Sequence, residues 1–207
     1  MNEDVQVLVE KIFSKYTKTK IPAGQIIIEP GQKIRQVHFV LDGKIRQYII
    51  TPEGDEITIH VYKPPVLIPL MVVLSDKPNS YYFATQSKTT VATAPVEEIL
   101  PLLDISTDFW KDIATRFAGA IDGLSQRIVS ATSSKQKEQL ESLLIYLSSS
   151  FGQEESTGWL IKDKLSHADL ANWLGCARET VSRMLKQLEA EEKIGYRNGH
   201  LVIYKKK

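Results

Sequence analysis

The sequence is poor in the residues that build covalent or metal-based sites. It has a single cysteine, Cys176, which excludes a disulfide framework and a multi-cysteine zinc or iron–sulfur site. No apolar run approaches the roughly 18–20 residues that span a bilayer, and the first ten residues carry acids instead of an apolar signal core. Neither sign of charge dominates, because 26 Lys and Arg residues face 25 Asp and Glu residues. We expect a folded cytoplasmic protein without membrane contact, in which any nucleic-acid-binding face is local.

The first hundred residues have the pattern of a β domain. Short apolar runs alternate with turn signals rich in Gly, Pro and Asp, which is typical of a sandwich or barrel. Pro64, Pro65 and Pro69 interrupt an apolar stretch, so residues 63–74 are not expected to form a simple central strand. The predicted strands are Gln25–Ile28, Gln36–Leu41, Lys44–Ile50, Glu56–Val61 and Thr89–Thr93.

A long helix is predicted over residues 104–132, where apolar side chains recur at steps of three or four. Gly119 and Gly123 lie inside it and are expected to allow the close approach of another backbone. Because a small barrel could not cover so long a helix, we expect the helix to join two chains. Packing of the same seam on the β domain is the alternative. The predicted dimer seam consists of Ile113, Phe117, Ala120, Leu124 and Ile128.

A compact module is predicted near the end of the chain. A shorter helix with leucines on one face and a polar loop over Phe151–Gly158 come first. Ser166, with Asp169 three residues later, then predicts a capped helix start. Gly175-Cys176-Ala177 is a turn of the length that a helix-turn-helix uses. The segment Ile194–Tyr204 is predicted to be a hairpin, or wing, around an Asn-Gly turn.

The second helix of this motif, from Arg178 to about Glu189, has two unlike sides. One side is apolar, and the other carries two Arg, one Lys, one Glu and one Ser. A recognition helix needs this division, because its apolar side docks it while its polar residues reach base edges in the major groove. Arg can bind guanine through two hydrogen bonds, and Glu can accept one from the cytosine amino group.

The segment Gly175–Leu185 resembles the recognition segment of the Crp/Fnr family of bacterial transcription regulators. The turn residues at Gly24, Pro30-Gly31, Val40–Ile45 and Glu53–Glu56 are similar to those of that family's cyclic-nucleotide-binding jelly roll. The resemblance implies an α+β fold with a jelly roll over residues 1–103, a dimerisation helix over 104–132 and a winged helix DNA-binding domain over 133–207. It further implies a homodimer on a pseudo-palindromic, TGTGA-like DNA operator, with RNA polymerase as a partner.

Roles for individual residues also come from this resemblance. It implies base contacts from Arg178, Glu179 and Arg183, and phosphate contacts from His167, Thr180, Ser182 and Lys186. It implies neither catalytic nor metal-binding residues. The family usually has Ser where Ala177 stands, and the loss of that helix cap lowers the stability of the protein by about 1 kcal/mol.

The effector site of the family is altered in this sequence. Members that bind cyclic AMP carry Gly-Glu and then Arg next to Ser or Thr. This chain lacks that Gly-Glu and has no Arg between Arg46 and Arg116. Lys63, Lys77 and Lys88 could meet a phosphate only as point charges. We expect no cofactor and no cyclic-nucleotide binding. Apolar side chains either fill the barrel, leaving the protein active without ligand, or line a pocket for an apolar effector, and we favour the first.

Two alternative functions place different demands on the sequence. Haem sensing within the same family needs only His38 or His60 as a ligand. A cupin-like ligand-binding protein or metalloenzyme would need clustered histidines with a carboxylate. His38 and His60 are 22 residues apart and the chain has no His-x-His. No Ser/His/Asp or Cys/His arrangement fits either, so an enzyme is not expected, and metal analysis of the purified protein would separate these classes.

Overall fold

The computed structural model describes residues 1, 3–75, 77–101, 106–131, 135–163 and 165–204. Internal contacts divide the chain into two compact units, Met1–Ile49 with Thr58–Ala120 and Ile50–Ile57 with Ile121–Lys207. The boundaries predicted at residues 103–104 and 132–133 lie outside the described residues, so the three-part division stays a prediction. No helix in the described ranges is long and apolar enough to cross a membrane.

The jelly roll is built from two four-stranded sheets. Each of the five predicted strands is present, and further strands occur where none was predicted. The strands are β1 (Lys18–Ile21), β2 (Ile26–Ile28), β3 (Gln36–Asp42), β4 (Ile45–Ile50), β5 (Glu56–Tyr62), β6 (Val66–Ile68), β7 (Tyr82–Thr85) and β8 (Thr89–Pro95). One sheet has the order β1-β8-β3-β6 and the other β2-β7-β4-β5. The turn after β3 requires Gly43, whose φ is +87° and whose added Cβ would lie 2.5 Å from the Lys88 carbonyl oxygen.

Apolar side chains from both sheets fill the interior of the jelly roll. Strand β6 and the helix that follows it, α2 (Leu70–Ser75), supply part of this core, in agreement with the prediction that residues 63–74 are not one strand. The buried members of this interior cluster are Ile28, Val40, Ile45, Val66, Ile68, Val72, Phe83 and Val91.

Helices cover the opposite face of the first sheet. They are α1 (Glu3–Phe13), which was not predicted, α3 (Val96–Ile99) and the start of the long helix α4 (Thr107–Ala131). Val37 and Phe39 point toward them, because successive residues of a strand face opposite sides. Ile113 is buried in this second cluster and Phe117 packs against it, so these two members of the predicted dimer seam pack within their own chain.

The exposure of apolar side chains changes along helix α4. From residue 121 onward its large apolar side chains are exposed, with 63% of Ile121, 38% of Leu124 and 67% of Ile128 accessible. A Cβ on Gly123 would lie 2.6 Å from the Tyr146 ring, and one on Gly119 would meet nothing within 4 Å. Within the chain, the group that approaches Gly123 closely is therefore the Tyr146 ring and not another backbone.

In the second unit, the described residues form three further helices and a sheet. The helices are α5 (Gln136–Phe151), α6 (His167–Leu174) and α7 (Arg178–Ala190). The strands β9 (Gly152–Glu155), β10 (Gly158–Ile161), β11 (Ile194–Arg197) and β12 (His200–Tyr204) form a sheet of order β11-β12-β10-β9. The prediction of a polar loop over Phe151–Gly158 was wrong. The polar residues of this segment form the edge strand β9, which pairs antiparallel with β10. A polar sequence can form such a strand because an edge strand needs only one half-buried face.

Candidate nucleic-acid interface

Helix α6 begins and ends where local signals place it. The Ser166 hydroxyl accepts a hydrogen bond from the Asp169 amide at 3.0 Å, and the Asp169 carboxylate accepts one from the Ser166 amide at 2.9 Å. This is the predicted capping box. At the other end Gly175 adopts φ +64°, the left-handed conformation that terminates a helix. Gly175 therefore begins the short connection to α7, which starts at Arg178.

Helix α7 docks through one side only. Val181, Met184, Leu185 and Leu188 are buried. On α6, which packs against α7, Leu170, Ala171 and Trp173 are buried as well. Ala177 stands at the helix start, and no side chain caps the first turn there. The two helices therefore form one packed unit whose opposite side is open.

The open side of α7 presents charges without partners. Arg178, Glu179 and Arg183 are exposed, and none of their side chains forms a hydrogen bond or ion pair with any residue that the structure describes. Other arginines are held in place, since Arg116 lies 2.7 Å from Asp112 and Arg197 lies 2.6 Å from Glu155. The three side chains predicted to contact bases are thus brought together on one exposed surface.

The residues predicted to contact phosphates surround this surface. Lys186 is exposed one turn beyond Ser182, and Thr180 is half-buried in the first turns of α7. Nδ1 of His167, the first residue of α6, lies 2.6 Å from the Ser182 hydroxyl oxygen. That hydroxyl also lies 3.0 Å from the Arg178 carbonyl oxygen. His167 and Ser182 therefore link the two helices of the motif.

The hairpin after α7 has the predicted turn. Asn198 and Gly199 both have positive φ, 52° and 78°, as a type I′ turn requires. Strands β11 and β12 pair antiparallel on either side of it. Residues 205–207, which add three lysines, lie outside the described residues.

Sequence reasoning missed an ion-pair network that holds α5 against the end of α7. Lys193 lies 2.7 Å from Glu141 and 3.0 Å from Glu191, and Lys137 also pairs with Glu191. Hydrogen bonds to Glu141 and Glu191 raise the pKa of Lys193, and those from Lys137 and Lys193 lower the pKa of Glu191. Lys137 and Glu191, like Glu141 and Lys193, are more than fifty residues apart in sequence, so no local pattern could have revealed these two pairs.

The jelly-roll interior offers little to a cyclic phosphate. Among the described residues its buried cluster is aliphatic and aromatic, and Lys77 and Lys88 are exposed. A polar contact also lies inside, where the Tyr62 hydroxyl donates to the Gln47 amide oxygen at 2.8 Å. Burial, and then the charge of Tyr81, raises the pKa of Tyr62.

The histidines of the barrel do not form a metal cluster. Nδ1 of His38 lies 2.8 Å from the Thr93 hydroxyl, and burial lowers the pKa of His38. The His60 ring packs edge-on against Tyr62, with 4.6 Å between ring centroids. Within the described ranges no group of three His, Cys, Asp or Glu side chains could hold a metal ion. Cys176 is half-buried in the turn before α7, and burial raises the pKa of its thiol.

Two families of known proteins match the chain in the order of its two units. The cyclic nucleotide-binding domain matches residues 18–106, and the crp family of bacterial regulatory proteins matches residues 164–194. The chain belongs to the Crp/Fnr family of bacterial transcription regulators. It is a DNA-binding transcription regulator with the fold expected from its sequence.

Individual relatives are distant in sequence but similar over most of their length. The fumarate and nitrate reduction regulatory protein of Vibrio cholerae is 23% identical over 98% of this chain and 80% of its own. The c-di-GMP responsive regulator CLP of Xanthomonas campestris has a TM-score of 0.74 at 16% identity, over 97% of this chain and all of that one. A CRP/FNR family regulator of Thermus thermophilus has a TM-score of 0.66 at 21% identity, over 91% of this chain and 94% of its own.

Proposed function

We propose that this regulator binds an inverted repeat with TGTGA-like half-sites as a homodimer and acts on transcription together with RNA polymerase. The observation that carries the proposal is the open side of α7, where the side chains of Arg178, Glu179 and Arg183 have no partner among the described residues. Two arginines match two guanines, and a glutamate matches a cytosine of the opposite strand. His167, Thr180, Ser182 and Lys186 are assigned to the DNA backbone, where contacts fix the register without reading sequence.

The exposed part of α4 supports the homodimer. Ile121, Leu124 and Ile128 follow one another at steps of three and four, and each is substantially exposed in the chain. A second copy that covers this stripe would remove the apolar surface from water. Two recognition helices related by a two-fold axis would then meet half-sites about one DNA turn apart, which explains an inverted repeat.

Cyclic nucleotides are not part of the proposed function. A buried phosphate needs a cation and hydrogen-bond donors to replace its lost hydration. The interior cluster instead contains the aliphatic side chains of Val66, Ile68 and Val72, which offer neither a cation nor a donor. Calorimetry with cyclic AMP, cyclic GMP and c-di-GMP, to which the Xanthomonas relative responds, should detect no binding. Tight operator binding by ligand-free protein would support constitutive activity, and micromolar binding of any nucleotide would refute it.

Selection of bound duplexes from a random pool tests the DNA assignment. The expected result is an inverted repeat with TGTGA-like half-sites, and an unrelated motif would contradict the assignment. Arg178→Ala should weaken operator binding by about 1–3 kcal/mol and relax the preference at one base position. Lys186→Ala is the matched control, because loss of a phosphate contact weakens binding to all DNA sequences alike. It should also reduce the slope of log affinity against log salt concentration by about one.

A further inference from the structure

Gly123 marks a close contact between α4 and α5. Its neighbours Asp122 and Leu124 are exposed, whereas Gly123 itself is buried. A Cβ built on Gly123 would lie 2.6 Å from Cε2 of Tyr146 and 3.3 Å from Cζ. An ordinary contact between such atoms lies at 3.4–4 Å, so a methyl group at this position would displace the ring by about 0.8 Å or more. The present position of the Tyr146 ring therefore requires a residue without a side chain on α4.

The same ring contacts the first helix of the DNA-binding motif. The ring centroids of Tyr146 and Trp173 are 6.0 Å apart, and the two planes meet at 61°. Trp173 is only 5% exposed, and the Arg127 guanidinium lies over its indole. Because protein interiors leave few voids around such a side chain, a shift of the Tyr146 ring acts on a packed indole and not on solvent.

Helix α6 carries such a shift to the recognition helix. Leu170 and Ala171 on α6 are buried, as are Val181 and Leu185 on α7, and the two helices pack against each other. Closely packed helices move together, because neither can shift alone without opening a void. A displacement at Trp173 therefore changes the position of α7 relative to the last turns of α4, residues 121–131.

We propose that the contact from Gly123 through Tyr146 to Trp173 sets the position of each recognition helix relative to these last turns, and with it the half-site separation that the dimer reads. The inference rests on the proposed function for its dimer and its operator. In a two-fold dimer the same shift occurs in both protomers, so the distance between the two recognition helices changes. Binding to two half-sites about one DNA turn apart depends on that distance, whereas binding to a single half-site does not.

The test compares Gly123→Ala with the matched control Gly119→Ala. Gly119 lies about one turn earlier on the same helix, and a Cβ there would meet nothing within 4 Å. Both glycines lie about 100° or more around α4 from Ile121, Leu124 and Ile128, so neither substitution alters the proposed dimer stripe.

Dissociation constants are measured on the selected inverted repeat and on a duplex with one half-site. Gly123→Ala should bind the inverted repeat roughly 2–30 times more weakly, the range found for residues that couple two parts of a protein. It should bind the single half-site as the natural protein does. Gly119→Ala should match the natural protein on both duplexes. A general loss of structure would instead weaken binding to both duplexes alike, and that result would overturn the positioning role.

Tyr146→Leu provides a second variant that leaves Gly123 in place. Alone it should also weaken binding to the inverted repeat, because Trp173 loses its neighbouring ring. Combined with Gly123→Ala it should lower the affinity no further, since the added methyl group no longer meets a ring. A further loss in the double variant would overturn the proposal, as would natural affinity for the inverted repeat in Gly123→Ala.

The fluorescence of Trp173 tests the contact without DNA. Trp110→Phe and Trp159→Phe leave Trp173 as the only tryptophan of the chain. In this background Gly123→Ala should change the emission spectrum and Gly119→Ala should not, and an unchanged spectrum in Gly123→Ala would overturn the proposal. If the natural protein binds the inverted repeat no better than one half-site, the proposed operator fails, and the emission still decides the contact. Circular dichroism confirms that each variant is folded.

Discussion

The guanidinium carbon of Arg127 lies 4.6 Å from the centroid of the Trp173 ring. Tyr146 meets the same indole at a centroid distance of 6.0 Å, nearly edge-on. The three side chains come from α4, α5 and α6, so the contact ties the end of the long helix to the first helix of the DNA-binding motif. Burial lowers the pKa of Arg127, while the charge of Tyr146 acts in the opposite direction.

Removal of the Arg127 charge tests the strength of this contact. Arg127→Met keeps most of the side-chain volume but loses the cation, and it should lower the free energy of unfolding by about 0.5–2 kcal/mol. Arg127→Lys should retain part of that stabilisation, because a cation still lies over the ring. Chemical denaturation followed by circular dichroism gives both values. An Arg127→Met protein as stable as the natural one would show that only apolar packing matters there.

Charges placed on the exposed stripe of α4 should separate the proposed dimer. Leu124→Glu combined with Ile128→Glu would bury like charges at the interface, which is unfavourable without partners. Phe117 is avoided because it packs in the core of its own chain. Light scattering should give the mass of a monomer, and operator affinity should fall with it.

The control for the dimer experiment uses the same helix and the same spacing. Lys111→Glu with Thr115→Glu changes two exposed residues four apart on α4 and should leave the mass unchanged. A dimer that persists in the Leu124 and Ile128 variant would contradict the interface.

Gln47 and Tyr62 should show a large coupling energy inside the jelly roll. Gln47 is 1% exposed, its amide oxygen accepts from Tyr62, and its amide nitrogen has no partner among the described residues. Gln47→Leu or Tyr62→Phe alone leaves one buried polar atom unpaired, at a cost of about 1–3 kcal/mol. The double variant removes both groups and should be much less destabilised than the sum of the single variants.

A double-mutant cycle by thermal or chemical unfolding measures that coupling. Additive losses would mean that the two side chains do not act as a pair. The same variants should leave operator binding by the ligand-free protein unchanged, because the pair belongs to the core of the barrel.

His38 should make the protein less stable in mild acid. Its folded-state pKa is lowered by burial, so the unfolded chain binds a proton more readily. The free energy of unfolding therefore falls as the pH drops below about 6.5, the ordinary value for histidine. His38→Asn keeps a hydrogen-bonding side chain beside Thr93 and should show a shallower fall in the free energy of unfolding between pH 7.5 and 5.5 in denaturant titrations. Equal pH slopes for the two proteins would assign the acid sensitivity to another group.

Local signals in the sequence predicted much of the DNA-binding motif. Ser166 and Gly175 mark the ends of α6, and Asn198-Gly199 marks the turn of the wing, because each acts through the backbone next to it. The two-sided pattern of α7 likewise needs only helical geometry. These features were predictable because the physical cause lies within a few residues.

Features that depend on distant partners were not predictable in the same way. The apolar period of α4 does not reveal that Ile113 is buried in its own chain while Ile128 is exposed, since that depends on where the first sheet ends. The link from His167 to Ser182 joins two helices, and neither residue alone indicates that the other lies within hydrogen-bond distance. Even the edge strand β9 exists only because β10 lies beside it.

The alanine at the start of α7 has a consequence for amide hydrogen exchange. Ser166 protects an amide in the first turn of α6, whereas Ala177 offers no side-chain acceptor to the first turn of α7. The amide hydrogens of Arg178 and Glu179 should therefore exchange with solvent sooner than that of Asp169, which Ser166 protects, although the two helices are packed together. The N-terminus of α7, which carries the proposed base-reading side chains, would then be the least protected part of that helix. It could contact DNA before its backbone becomes ordered.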